Sequence, residues 1–107
     1  MDSIIFFITT FTDEATAELT IRKLVEERLV ACGTLIPKAK SIYCWQGKIE
    51  ESNEVVVFLK TTMTLQAVCM GRLQALHPYE IPEILVMEPA AVSESYAAWV
   101  QNFICNL

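Results

Sequence analysis

The chain contains a single histidine, His77, three glycines, and four cysteines that form no Cys-x-x-Cys pair. These shortages exclude much chemistry. One histidine cannot build a His cluster or a Ser/His/Asp set, and no Cys/His spacing of a zinc site is present. Gly33, Gly47 and Gly71 lie too far apart to form a glycine-rich phosphate loop. Basic residues are also scarce. Eight Lys and Arg stand against thirteen Asp and Glu, and the resulting charge of −5 repels phosphate backbones, so nucleic acid is not an expected partner. No apolar run approaches the roughly 18 to 20 residues of a membrane-spanning helix. The apolar stretch Ile4 to Ile8 lacks a basic region before it and a small-residue cleavage site after it, which predicts a cytoplasmic chain with no membrane partner.

Apolar residues are in excess. They make up 53% of the 107 residues, and the mean hydropathy is +0.38. A chain this short fits one domain over residues 1–107, and its high surface-to-volume ratio should demand more polar residues than it has. The surplus points to a further buried surface, most simply a subunit interface. Cys32, Cys44, Cys69 and Cys105 sit in apolar surroundings, where a cysteine usually packs as a small hydrophobe.

The order of elements follows from periodicity. Residues 3–10 are β-branched and aromatic and lead to Thr12-Asp13, a helix cap. Ala17, Ile21, Leu24, Val25 and Leu29 then recur at helical spacing, with Glu18 and Arg22 placed for an i,i+4 pair, and this helix should end near Cys32-Gly33. Thr34 to Trp45 reads as a strand in which Pro37 requires an edge position or a bulge. Gln46-Gly47 turns the chain into a second strand whose Val55 to Leu59 core is apolar on both faces. A helix capped by Thr62 or Thr64 runs to Leu76 and is stopped by Pro78. Ile81 to Met87 is a fourth strand, and a last helix carries Tyr96, Trp99, Val100, Phe103, Ile104 and Leu107.

This βαββαβ order with an added C-terminal helix predicts an α+β fold, a ferredoxin-like sandwich with a four-stranded antiparallel sheet and two helices on one face. The other sheet face then needs cover, which again argues for assembly. Acylphosphatase-like hydrolysis on such a fold wants an arginine and an asparagine converging on phosphate, and the first turn, "TTFTDEAT", offers neither. No enzymatic activity is expected.

The segment "HPYEIPEI" concentrates the remaining chemistry. His77 can be a borderline-soft ligand for copper or zinc, partnered by Cys32, Glu80, Glu83 or groups of another subunit. It can equally cap the second helix, its imidazole meeting the last carbonyls. Tyr43 and Trp45 alternate with Cys44 and share a strand face, as pocket lining or as interface. Lys60 and Glu54 also share a face and suit a small anion or a pair across subunits. Tyr79-Glu80 can close an intersubunit cleft whose anionic wall would suit a cation.

The runs "RKLVEERLVACGTLIP", "SIYCWQGKIEESNEV", "KTT" and "HPYEIPEI" together resemble the CutA (CutA1) divalent-cation-tolerance family across nearly the whole chain. The resemblance implies a cytosolic homotrimer of ferredoxin-like subunits, similar in architecture to PII-like signalling trimers, that binds copper or other divalent ions and responds to metal. It favours the metal reading, with His77, Cys32 and Glu80 as the candidate ligands, and the residues themselves offer Tyr43, Trp45, Lys60, Tyr79 and Glu83 as the candidate interface or cleft. Cys32 matches the cysteine of the family's Ala-Ala-Cys segment. Gly33-Thr34 departs from the Val-Asn frequent there and is expected to loosen the backbone, and Cys44 replaces a usual charged residue. The alternative function is a PII-like interaction trimer whose clefts take a metabolite or a protein.

Overall fold

A computed structural model describes residues 2–105; Leu107, expected on the last helix, lies outside them. Strand β1 (Ile4–Phe11) alternates strictly. Ile5, Phe7 and Phe11 are fully buried against helices α1 (Glu14–Glu26) and α2 (Gln66–Leu76), while Ile4, Phe6 and Ile8 face the other way. Strands β2 (Cys32–Trp45), β3 (Lys48–Thr62) and β4 (Ile84–Met87) complete an antiparallel sheet of order β2-β3-β1-β4. This is the ferredoxin-like order, with both helices on one face. Val55, Val57 and Leu59 of β3 meet Ala17, Leu24, Cys69 and Leu73 of the helices in the main core.

Local chemistry sets each boundary. Asp13 caps α1, its Oδ1 accepting the Thr16 N–H at 2.7 Å. Helix α1 ends at Glu26, short of the expected Cys32-Gly33, because Arg28 adopts a left-handed conformation (φ 60°). The Arg28 N–H then returns to Val25 O and the Leu29 N–H to Leu24 O, a Schellman closure without glycine. Arg28 is held there by α3 (Glu94–Cys105), donating to Phe103 O at 3.1 Å with its guanidinium over the Phe103 ring. Cys32 is therefore the first residue of a strand rather than the end of a helix.

Pro37 sits on an edge strand, as expected, and the β2–β3 register shifts between Ile36 and Ala39, with Lys38 at φ 63°. Gln46 and Gly47 both have positive φ, the hairpin turn that suits strand twist. Neither Thr62 nor Thr64 caps the second helix through its side chain. A 3-10 turn (Met63–Leu65) intervenes, and Asp2 Oδ1 accepts the Thr64 N–H at 3.1 Å instead. Strand β4 begins three residues later than expected, since Pro82 cannot donate to the ladder.

Gly33 does not loosen the backbone. A Cβ there would meet Ile21 Cγ2 at 2.6 Å, so α1 packs closely over the sheet at this residue. On the opposite face α3 covers only one end, burying Ile4, Ala31, Val100 and Ile104 together. The rest of that face is open, with Leu85 and Met87 of β4 at one edge of the sheet and Ile36 of β2 at the other each about half exposed. Because β1 pairs with β3 only as far as Phe11 and Val55, residues 39–54 stand out as a two-stranded arm. Its apolar residues Ile42, Trp45 and Ile49 are 64%, 52% and 75% exposed.

Candidate functional site

The turn after α2 meets the end of β1 and the base of the arm. His77 terminates α2, its N–H bonded to Leu73 O, and Pro78 holds it extended at ψ 132°. The imidazole turns away from the helix. It stacks on Phe11 with centroids 4.4 Å apart and meets the Tyr79 ring edge-on. Its Nε2 lies 2.8 Å from Thr10 O, an atom that can only accept, so Nε2 carries the proton and Nδ1 accepts the Tyr79 N–H at 3.1 Å. Both ring nitrogens are occupied, and neither meets the last carbonyls of α2 as a helix cap would. Burial lowers the His77 pKa against the opposing influence of Thr10 O and Glu54.

Tyr79 extends this network. Its hydroxyl donates to Glu54 Oε2 at 3.3 Å and accepts from Thr12 Oγ1 at 2.7 Å, while Ser52 Oγ donates to Glu54 Oε1 at 3.1 Å. Burial and the Glu54 carboxylate raise the Tyr79 pKa. Beside these groups opens a cleft of about 550 Å³, lined chiefly by Tyr43, Trp45, Glu54, Tyr79, Ile81 and Glu83. Four of the five residues expected at an interface or cleft thus come together. Lys60 does not join them.

Lys60 belongs to a second group. It stands opposite Cys32 in the β2–β3 ladder and donates to Thr34 Oγ1 at 2.6 Å. The Cys32 thiol lies 3.5 Å from the Tyr96 hydroxyl, whose pKa is pushed up to about 12 by burial and by that thiol. Glu54 and Lys60, six residues apart on one strand face, are not paired. Cys44 is exposed, whereas burial pushes the Cys69 thiol up to about 12, consistent with inert packing.

The expected ligands His77, Cys32 and Glu80 are not gathered within one chain. His77 lies by Thr10 at the base of the arm, Cys32 lies by Tyr96 and α3, and Glu80 is exposed outside the cleft. Among the described residues no three His, Cys, Asp or Glu side chains converge as a metal site. The described residues of a single chain thus gather no such donor trio for copper. The sequence reading missed Thr10, Thr12 and Tyr96. Their roles depend on contacts across 64 residues or more, and no local pattern marks them.

The fold recurs in known proteins. A family model described as "CutA1 divalent ion tolerance protein" matches residues 5–103. A protein of Escherichia coli named "Divalent-cation tolerance protein CutA" is 43% identical over 91 residues, covering 85% of this chain and 81% of the relative. The crystal structure of CutA from Xylella fastidiosa superposes with a TM-score of 0.91 at 37% identity, over 95% of this chain and 98% of that one. For the divalent ion tolerance protein CutA1 of Ehrlichia chaffeensis the TM-score is 0.94 at 28% identity, over 98% of each chain. The chain belongs to the CutA1 divalent ion tolerance family.

Proposed function

We propose that this chain is a one-domain subunit of a cytoplasmic homotrimer that binds copper or another divalent ion and acts in the response to metal. The observation that carries this reading is the family match over nearly the whole chain, with a 43% identical relative named for divalent-cation tolerance. The open sheet face and the apolar arm support assembly, since exposed apolar patches of this kind mark contact surfaces. The role is binding rather than catalysis.

One chain gathers no donor trio among the described residues, and in this reading the ion draws donors from more than one subunit or displaces an existing hydrogen bond. Cys32 offers a soft sulfur at the edge of the open face. His77 becomes a ligand only if it gives up Thr10 O or the Tyr79 N–H. Calorimetric titration of Cu²⁺ into wild type, His77→Ala and Cys32→Ser tests the assignment. A true ligand should lose at least about tenfold in affinity, since even residues supporting a ligand commonly cost that much. Unaltered binding in both variants removes His77 and Cys32 from the site.

The cleft favours a second reading, a PII-like trimer that takes a small metabolite or a protein segment. Its volume and mixture of aromatic and acidic lining suit a small molecule.

A further inference from the structure

We propose that the aromatic stack of α3, formed by Tyr96, Trp99 and Phe103, is a docking surface for a second copy of this chain. The inference rests on the assembly reading above and extends it to an element which that reading leaves out. The three rings recur at i, i+3 and i+7 along one side of the helix, and each stacks on the next with centroids 5.9 Å apart. Arg28 closes one end, its guanidinium 5.2 Å from the centre of the Phe103 ring. The core side of α3 lies elsewhere. Val100 and Ile104 are buried with Ile4 and Ala31, whereas Trp99 is 48% and Tyr96 37% exposed. Aromatic rings already ordered in this way lose little freedom on docking and gain by leaving water, the usual properties of an interface anchor.

The place and size of the stack decide its occupant. At its other end the Tyr96 hydroxyl lies 3.5 Å from the Cys32 thiol. Cys32, Thr34 and Ile36 oppose Lys60, Phe58 and Val56 in the β2–β3 pairing. Val55, Val57 and Leu59 face the helices, so this alternate row faces the open side of the sheet. The α3 rings are therefore continuous with the face that already needs a partner. Alone they are too small to hold one. A Trp or Tyr ring buries about 150–250 Å² when fully covered, so the exposed parts of Trp99 and Tyr96 supply less than about a third of the ~800 Å² that each partner gives to a stable interface. The copy that covers the open face thus reaches over α3 as well.

The test is NMR of the assembled full chain, with a neutral gadolinium chelate as the probe of solvent access. Trp45 and Trp99 are the only tryptophans, so Trp45→Phe assigns their two indole N–H signals. Leu19→Trp adds an exposed reference indole on α1, outside the open face and the arm, at a position 55% exposed. In the assembly the chelate should broaden the Trp99 signal at least about fivefold less than the reference, because the core of an interface excludes water. Trp99→Ala should also speed subunit exchange between isotope-labelled and unlabelled protein at least about tenfold, followed by native mass spectrometry. Equal broadening of the two indoles, or an unchanged exchange rate in Trp99→Ala, overturns the α3 contact while leaving the trimer reading in place. A chain that sediments as a monomer overturns the trimer reading and this proposal with it.

Discussion

Thr10 O has no proton to give, so His77 is locked as the neutral Nε2–H tautomer between a strand carbonyl and a turn amide. Burial holds its pKa below the ordinary value of about 6.5 that the unfolded chain retains. The sign follows from proton counting. Above about pH 6.5 both states leave this ring neutral, and its contribution to stability is complete. As pH falls below that value the unfolded state takes up the proton first, so stability is lost until the pH passes below the depressed folded value. His77→Gln should remove this contribution, and urea midpoints at about pH 7.5 and 5.5 should fall further in wild type than in the variant. Equal falls in the two proteins would mean that His77 is not buried neutral. The alternatives open in the sequence, ligand or helix cap, did not include this tie from β1 to the turn, because Thr10 is 67 residues away and nothing local announces the contact.

At the scale of the element, Gly33 shows how composition misleads. A glycine after a cysteine reads as slack, yet here it is a close approach, with Ile21 and Leu59 closing over the missing side chain. Gly33→Val should destabilise the chain by about 1 to 3 kcal/mol through overpacking, read as a lower urea midpoint. A neutral substitution would show that α1 can shift away from the sheet at little cost. The strands, the hairpin turn and the bulge at Pro37 were legible because period-two alternation, Gln46-Gly47 and the missing proline N–H act locally. Helix ends were less so. Arg28 takes a conformation usually left to glycine because Phe103, 75 residues away, engages its guanidinium, and Asp2 satisfies the Thr64 N–H in place of a threonine cap. Half of the site was legible for a similar reason. Tyr43 and Trp45 announce a shared face by alternation, whereas the separation of Cys32 from His77 appears only once the sheet order is known.

For the whole molecule, the surplus of apolar residues has a visible location. It lies on the open sheet face and along the arm, where Trp45 and Ile49 stand largely in water in a single chain. Subunit contact at these surfaces would make Trp45→Ala weaken assembly more than ion binding, by about 2 kcal/mol or more if the ring is a central anchor. Sedimentation equilibrium across a dilution series, paired with Cu²⁺ titration of the same variant, separates the two effects. Loss of copper affinity with assembly intact would place Trp45 in the ion site instead.

Native mass spectrometry of the purified chain at micromolar concentration, titrated with Cu²⁺, tests assembly and ion binding together. The account predicts a three-chain species before metal is added and the same species carrying copper as the titration proceeds. A monomer throughout, or a trimer that never gains copper, would contradict it.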